Sequence, residues 1–400
     1  MGATRNISLE VALRWQSDHA THIDRQYFEK INLWRDYFPQ DLSDRLNAAA
    51  PGDVIMIDVA VGELVAPFDP ALVQRMKRHQ FNTQPRPGMQ VEPRVGRFYP
   101  ATFFDTPLFF YGDYRPSRIR ALDAESLEVD FNHPLARYAA QVEARIIKDL
   151  GASAERGGRC NDIAQELVSR GPGMQAPLPD VMPDYSSGDV LARLDPREDA
   201  VFYQSPRLVQ HIDATARAQI TEIYSRFLQP GMRVLDLMSS WQSHLPEPLT
   251  DLQVTGLGMN AQELAENPRL SESIVHDLNV QPQLPFAAGS FDAVICTVSV
   301  EYLVQPIEVF RDIARILKPG APFILTFSDR WFPTKAIELW SDLHAFERLG
   351  LVLDYFRRAG GFVDLGTESL RGLPRPEDDP YADKLAHSDP VFAVWGRRAP

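Results

Sequence analysis

Cysteine is almost absent from this chain: its 400 residues include two, Cys160 and Cys296, too few and too far apart for a disulfide framework or a thiolate metal site. Both are expected as reduced thiols. The nine histidines are scattered without ligand spacing, so no metal is expected. No stretch reaches the roughly 20 apolar residues that span a bilayer, and residues 1–9 hold no run of signal-peptide length, which points to a cytoplasmic protein away from membranes. Positive charge is also in short supply. Against 54 Asp and Glu stand 41 Lys and Arg, a net charge of −13 that repels a phosphate backbone, so nucleic acid is not an expected partner.

What is present is ordinary globular material, 44% apolar and 24% charged, in a chain longer than the roughly 250–300 residues one hydrophobic core supports. Two domains are expected. Residues 1–150 read as mostly β: Ile7, Leu9, Val11, Leu13 and Trp15 alternate with polar residues, a strand is predicted to open at Asp53, where Val54, Met56 and Val59 precede Gly62, and 122–129 and 140–147 extend the β character. Residues 151–197 are broken by Gly157-Gly158, Gly171-Pro172-Gly173 and several prolines, the texture of a linker with room for one short helix at 162–168. From 198 to 400 strands and helices alternate. A helix is predicted from Ser205-Pro206 through Phe227, then strands at 233–237, 253–257, 273–276, 291–297, 322–326 and 391–395, with helices at 261–267 and 306–317. That order predicts a mostly parallel, doubly wound α/β sheet with helices on both faces.

In such a sheet ligands collect outside the carboxyl ends of the strands. Asp236 ends the first strand, Met259-Asn260 follow the second, His276-Asp277 the third and Ser299 to Tyr302 the fourth. Val234-Leu235-Asp236-Leu237, Asp277 with Leu284-Pro285-Phe286, Ser290-Phe291-Asp292-Ala293-Val294 and Leu317-Lys318-Pro319-Gly320 follow in an order that resembles class I S-adenosylmethionine-dependent methyltransferases of the type-11-like group. The resemblance implies a Rossmann-like fold, S-adenosyl-L-methionine as cofactor and a small-molecule or polypeptide methyl acceptor. It implies a cofactor set of Asp236, Met238, Ser239, Ser240, Gly258, Met259, Asn260, Asp277, Leu278 and Val298. Asp236 would orient the loop and approach the methionine end, and Asp277 would accept from the adenine amino group; either acid is also a ready loop or helix cap. The loop departs from the family: Met238 to His244 hold no glycine, and Asn260 stands where an acid usually grips the ribose.

His244, Glu301 and Tyr302 are the candidate catalytic groups, His244 because an ordinary imidazole accepts a proton near neutral pH. Tyr203, His211, Arg330 and Lys335 are candidate acceptor contacts. Each has a bland alternative as a loop, cap or solvated charge, and Cys296, inside an apolar run, reads as an inert buried thiol. A rival reading is open at Gly256-x-Gly258-x-x-Ala261, which fits the dinucleotide fingerprint of a nicotinamide-dependent enzyme, although an earlier strand precedes it.

In the first half, Leu42-Ser43-Asp44-Arg45-Leu46, Val59-Ala60-Val61-Gly62, Phe68-Asp69 and Asp130-Phe131-Asn132-His133-Pro134-Leu135-Ala136 resemble the SlyD type of FKBP-like prolyl isomerases, with a flap inserted between the last two. The resemblance implies a pocket for proline-containing peptides, with Asp24, Tyr27, Phe38 and Phe131 as candidate lining. An Ala-Tyr-Gly segment of that family is replaced by Glu63-Leu64-Val65-Ala66-Pro67, which removes its aromatic hydroxyl. Two classes of function stay open: a methyltransferase whose first domain grips a polypeptide, and a non-catalytic chaperone or scaffold in which the second domain only binds cofactor.

Overall fold

The computed structural model describes residues 4–400 except Gln40, Tyr111 and Arg156. It divides into two compact units, residues 1–188 with 343–351, and residues 189–342 with 352–400.

The first unit opens with a long antiparallel pair, β1 (Thr4–Gln16) and β2 (Thr21–Asn32), followed by helix α1 (Leu42–Ala48) and edge strand β3 (Val54–Val59). A second sheet is then inserted, built from β4 (Val73–Lys77), β5 (Phe98–Pro100), β6 (Pro116–Leu122) and β7 (Ser126–Asp130) in the order β4-β7-β6-β5. The chain returns as β8 (Ala140–Ser153), which lies between β1 and β3, and ends this part with α2 (Ile163–Val168). The alternation in β1 is real, and its inward residues Ile7, Leu9, Val11 and Leu13 are fully buried in a core shared with Leu42 and Leu46 of α1 and Ile163 and Leu167 of α2. The β stretch expected over 122–129 is a hairpin: Asp123 accepts from Glu125 N, Ser126 N and Ser126 Oγ, turning the chain between β6 and β7. Part of the stretch read as linker is packed. Met174, Gln175 and Ala176 are buried, and a Cβ on Gly173 would lie 2.7 Å from Pro134.

The second unit holds α3 (Asp199–Phe202), α4 (Ala214–Ser225), β9 (Arg233–Leu237), β10 (Gln253–Gly258), α5 (Ala261–Ala265), β11 (Glu272–Val275), β12 (Ala293–Thr297), α6 (Pro306–Ile316), β13 (Pro322–Phe327), α7 (Glu338–Asp342), the part of α8 (Ala345–Ala359) from Val352 on, β14 (Phe362–Arg371) and β15 (Val391–Arg398). Its strands run in the order β11-β10-β9-β12-β13-β15-β14. The first five are parallel; β15 pairs antiparallel with both β13 and β14, so the sheet is mixed at that end. Buried on both faces, the central strands read as near-continuous apolar runs, as in Phe323-Ile324-Leu325.

Helix α4 starts eight residues later than its apolar spacing predicted. Asp213 caps it by accepting from Ala216 N at 3.0 Å, and Leu208 and Val209 are exposed. From there Ala216, Ile220, Ile223 and Tyr224 face the core. Helix α6 begins on Pro306 at its first turn, where no amide hydrogen is missed, and buries Val309, Phe310, Ile313 and Ile316. Strand order reverses between β9 and β12, and the carboxyl ends there open into a crevice.

Candidate functional site

A cavity of about 290 Å³ lies at this reversal, lined from the ends of β9, β10 and β12, the segments after β11 and β13, and residues 199–212 ahead of α4. Asp236 and Asp277 both line it. So do Met238, Ser239, Ser240, Gly258, Met259, Asn260, Leu278 and Val298, the remaining residues of the expected cofactor set.

Asp236 is 2% exposed at the end of β9. Its Oδ2 accepts from Ser239 Oγ at 2.6 Å and its carboxyl also takes a hydrogen bond from the Ser243 side chain. Burial raises its pKa to about 7, against the lowering effect of the two serine hydroxyls. The loop that follows is bent sharply: Met238 has φ 57° and Ser239 N donates to Leu257 O of β10 at 2.8 Å. This closeness explains Gly258, where a Cβ would lie 2.1 Å from the Ser239 carbonyl oxygen. At Gly256 a Cβ would meet only the tip of the Leu270 side chain, at 2.4 Å, which can move aside. The second glycine of the dinucleotide-like run is thus accounted for by backbone packing on a second strand rather than by a phosphate.

Asn260 does not stand free for a ribose. Its Oδ1 accepts from Gln262 N and Glu263 N as the N-cap of α5, and its Nδ2 donates to the carbonyls of Tyr203 and Gln204. Beside it sits Glu263, which the sequence reading missed: Oε1 accepts from Arg207 N and Oε2 from Ser240 Oγ, both at 2.7 Å. The Asn-x-x-Glu spacing was visible as a capping pattern, which carries no hint of a cavity wall. Asp277 follows β11 and turns the chain, Oδ1 accepting from Asn279 N at 2.9 Å and Val280 N at 3.3 Å. Its other oxygen has no protein donor among the described residues and is available to a ligand. Val298 holds φ 48°, a left-handed conformation rarely taken by a β-branched residue, and lines the cavity beside Thr297 and Ser299.

The candidate catalytic groups separate. His244 lines the cavity, and burial, helped by Arg217, lowers its pKa to about 4, so it is a neutral imidazole at physiological pH. Tyr302 also lines it, with its hydroxyl accepting from Phe332 N at 2.9 Å and its pKa raised well above the ordinary value by burial and then by Glu301. Glu301 is 1% exposed and does not line the cavity; its position after β12, one residue before Tyr302, points it into the interior. Of the acceptor candidates, Tyr203, His211 and Arg330 line the cavity and Lys335 does not. The Lys335 side chain is fully buried and its Nζ is held by Asp199 Oδ1 at 3.1 Å and Arg197 O at 2.6 Å. Arg330 is fixed by Asp389, to which its Nε donates at 3.0 Å. Trp241 borders the cavity without filling it, its Nε1 donating to Val209 O. Arg207, unremarked in the sequence, lies 4.4 Å over the Phe202 ring and 5.4 Å from Phe332.

The four candidates in the first unit do not make one pocket. Asp24 is fully buried, accepting from Trp15 Nε1 at 2.8 Å and from Gln175 Nε2. Tyr27, three residues along the same strand, points to the opposite face. Phe38 packs on the core of the first sheet, whereas Phe131 belongs to the inserted sheet's own core with Phe104 and Phe109. Among the described residues no group of three or more His, Cys, Asp or Glu side chains is arranged to hold a metal ion, and no helix is long and apolar enough to cross a membrane.

Residues 242–325 match a methyltransferase domain family, Methyltransf_11. Among curated relatives, the ubiquinone biosynthesis O-methyltransferase of Xanthomonas campestris pv. campestris is 35% identical over 116 residues, 27% of this chain and 48% of the relative. The chain therefore spans about half the length of that relative. Among solved structures, a Haloferax volcanii methyltransferase in complex with its Trm112 activator is 21% identical, with a TM-score of 0.34, covering 46% of this chain and 91% of that one. The Haemonchus contortus phosphoethanolamine N-methyltransferase 2, solved with S-adenosyl-L-methionine, is 17% identical with a TM-score of 0.34, covering 46% of this chain and 52% of that one. The methyltransferase-domain match thus lies within the second unit, over residues 242–325, and the cofactor of such a domain is S-adenosyl-L-methionine. The donor set fits such a molecule: a buried carboxyl at one strand end, an available carboxylate oxygen on Asp277, and apolar Met259, Leu278 and Val298 on the same wall.

Proposed function

We propose that this chain transfers the methyl group of S-adenosyl-L-methionine to an oxygen nucleophile on a small acceptor molecule. The observation that carries the reading is that Asp236, at the end of β9, and Asp277, just after β11, line a single cavity at the point where strand order reverses. Asp277 is assigned to the adenine amino group and Asp236 to the loop and the methionine end, with Met259, Leu278 and Val298 against the flat nucleoside faces. Bound there, the cofactor supplies a methyl group on a cationic sulfur. The protein's task is then chiefly alignment and exclusion of water, which Tyr203, Trp241, Trp331 and Phe332 suit as large apolar walls. His244, neutral above about pH 4, is proposed to take the acceptor's hydroxyl proton. Tyr302, whose oxygen accepts from Phe332 N and whose pKa is held well above the ordinary value by burial and then by Glu301, keeps its proton and is assigned to the wall rather than to the base. The choice of oxygen follows from the Xanthomonas relative being an O-methyltransferase.

For the first unit we propose polypeptide binding of the SlyD-like kind, without prolyl isomerisation. The support is the insertion of the β4–β7 sheet between β3 and β8; against isomerisation stands the dispersal of Asp24, Tyr27, Phe38 and Phe131. The two compact units, residues 1–188 with 343–351 and residues 189–342 with 352–400, are proposed as the two functional domains.

Calorimetric titration of the full chain with S-adenosylhomocysteine tests the first proposal, alongside Asp236→Ala and Asp277→Ala. Saturable binding that both variants weaken at least ten-fold supports it; absence of binding by the wild type favours a scaffold. Labelled-methyl transfer in His244→Ala then separates a base from a wall, since loss of turnover with unchanged cofactor affinity is expected of the former.

A further inference from the structure

We infer that the cofactor loop of this chain takes its shape from side-chain hydrogen bonds instead of from glycine, with Asn267 and Ser243 as its positioning residues. The inference rests on the reading of the cavity as a cofactor site. Both ends of the loop are left-handed: Met238 has φ 57° and His244 φ 50°. Such a conformation is costly for an ordinary L residue, whose Cβ crowds the following carbonyl, and costs glycine almost nothing, so two non-glycine residues there need compensation from their surroundings.

That compensation is visible on both sides of the loop. From below, Ser239 and Ser243 both hydrogen-bond the buried Asp236 carboxyl. From the side, Asn267 uses one amide nitrogen twice, Nδ2 donating to Ser240 O at 2.8 Å and to Ser243 Oγ at 2.9 Å. Its Oδ1 is fixed by Arg269 N at 3.0 Å, which aims the two donors at the loop. A primary amide is the side chain suited to this, with two hydrogens in one plane and an acceptor opposite. Asn267 is 4% exposed and Ser243 2%, and neither lines the cavity, so they act on a ligand only through the loop. Asn267 follows α5, whose N-cap Asn260 and first-turn Glu263 also face this region, so the α5 segment braces the loop as one unit.

The test uses the full chain and two readouts, amide hydrogen exchange without ligand and calorimetric binding of S-adenosylhomocysteine. Asn267→Ala and the near-isosteric Asn267→Asp are expected to speed exchange across residues 238–244 by about ten-fold, leaving β12 and β13 unchanged, and to weaken binding by about ten-fold, the scale of one to two lost hydrogen bonds. Met238→Gly in the Asn267→Ala background is expected to recover several-fold of that affinity by removing one left-handed penalty. Unchanged loop exchange in both variants overturns the inference, as does an increase spread over the whole sheet or an affinity loss that Met238→Gly leaves untouched. If the wild type binds no S-adenosylhomocysteine, the cofactor reading fails while the exchange readout still decides how the loop is held.

Discussion

Ser239 Oγ donates a 2.6 Å hydrogen bond to Asp236 Oδ2 in the interior, so the acid that ends β9 is engaged in folding its own loop before any ligand arrives. Its titration near 7 follows from that burial and gives the site a pH dependence of definite sign.

An unfolded carboxyl ionises near 3.8, and the native Asp236 near 7, so between those values the folded chain holds a proton that the unfolded chain has lost. Stability of the ligand-free protein contributed by this group is therefore lost as pH rises toward and through 7, by about 1 kcal/mol between pH 6 and 8. Denaturant melts at the two pH values should show the drop in wild type and lack it in Asp236→Asn. Binding of a ligand bearing a cationic amine favours the ionised form, so affinity should move the other way and strengthen with pH over the same range.

The histidines act on the acid side. Burial lowers His22 to about 3 and His133 and His244 to about 4. Groups depressed below the unfolded value of 6.5 give stability that is complete above that value and is lost as pH falls toward the folded pKa, about 2 kcal/mol each between pH 7 and 5. His22 stacks on Trp15 at 3.9 Å and its Nε2 lies 2.8 Å from Ser17 Oγ. His22→Phe keeps the stack and removes the titration, and urea melts of this variant should differ less between pH 7 and 5 than those of wild type.

Gly258→Ala should abolish measurable cofactor binding. The new Cβ would press on the Ser239 carbonyl at 2.1 Å, a backbone atom that cannot yield without moving the loop. Retained affinity in the alanine variant, measured by calorimetry, would show that the loop has freedom its contacts do not suggest.

Lys335→Met should unfold the C-terminal unit more readily while leaving the residual cofactor affinity of folded protein intact. Its ammonium lies among Asp199, Asp195 and Arg197 O without reaching the cavity, and loss of one partner of a buried ion pair costs about 3–5 kcal/mol. A large change in Kd at little change in melting temperature would place Lys335 on the acceptor instead.

The strands of the second unit were legible because fully buried parallel strands must be short apolar runs bounded by turns, and Val234-Leu235, Val294-Ile295 and Phe323-Ile324-Leu325 meet that requirement. Asp236 and Asp277 were legible for a related reason: a polar residue at the end of such a run lies at the sheet's carboxyl edge. The late start of α4 was hidden, because Leu208 continues the apolar spacing although the chain is not helical until Asp213 caps it. Strands β2 and β14 escaped notice since their burial patterns are irregular and give no clean alternation.

By itself, then, the sequence determined the alternation of β and α, the carboxylates at the strand ends and the scarcity of groups for metal or disulfide chemistry, all of which depend on residue type and near-neighbour spacing. Tertiary structure alone decided which polar groups remain available. Asn260, Glu301 and Lys335 are as polar as Asp277 on paper, but a hydrogen bond to Tyr203 O, an inward turn after β12 and an ion pair with Asp199 withdraw them. Those partners lie tens of residues away, and only the folded chain brings them within bonding distance.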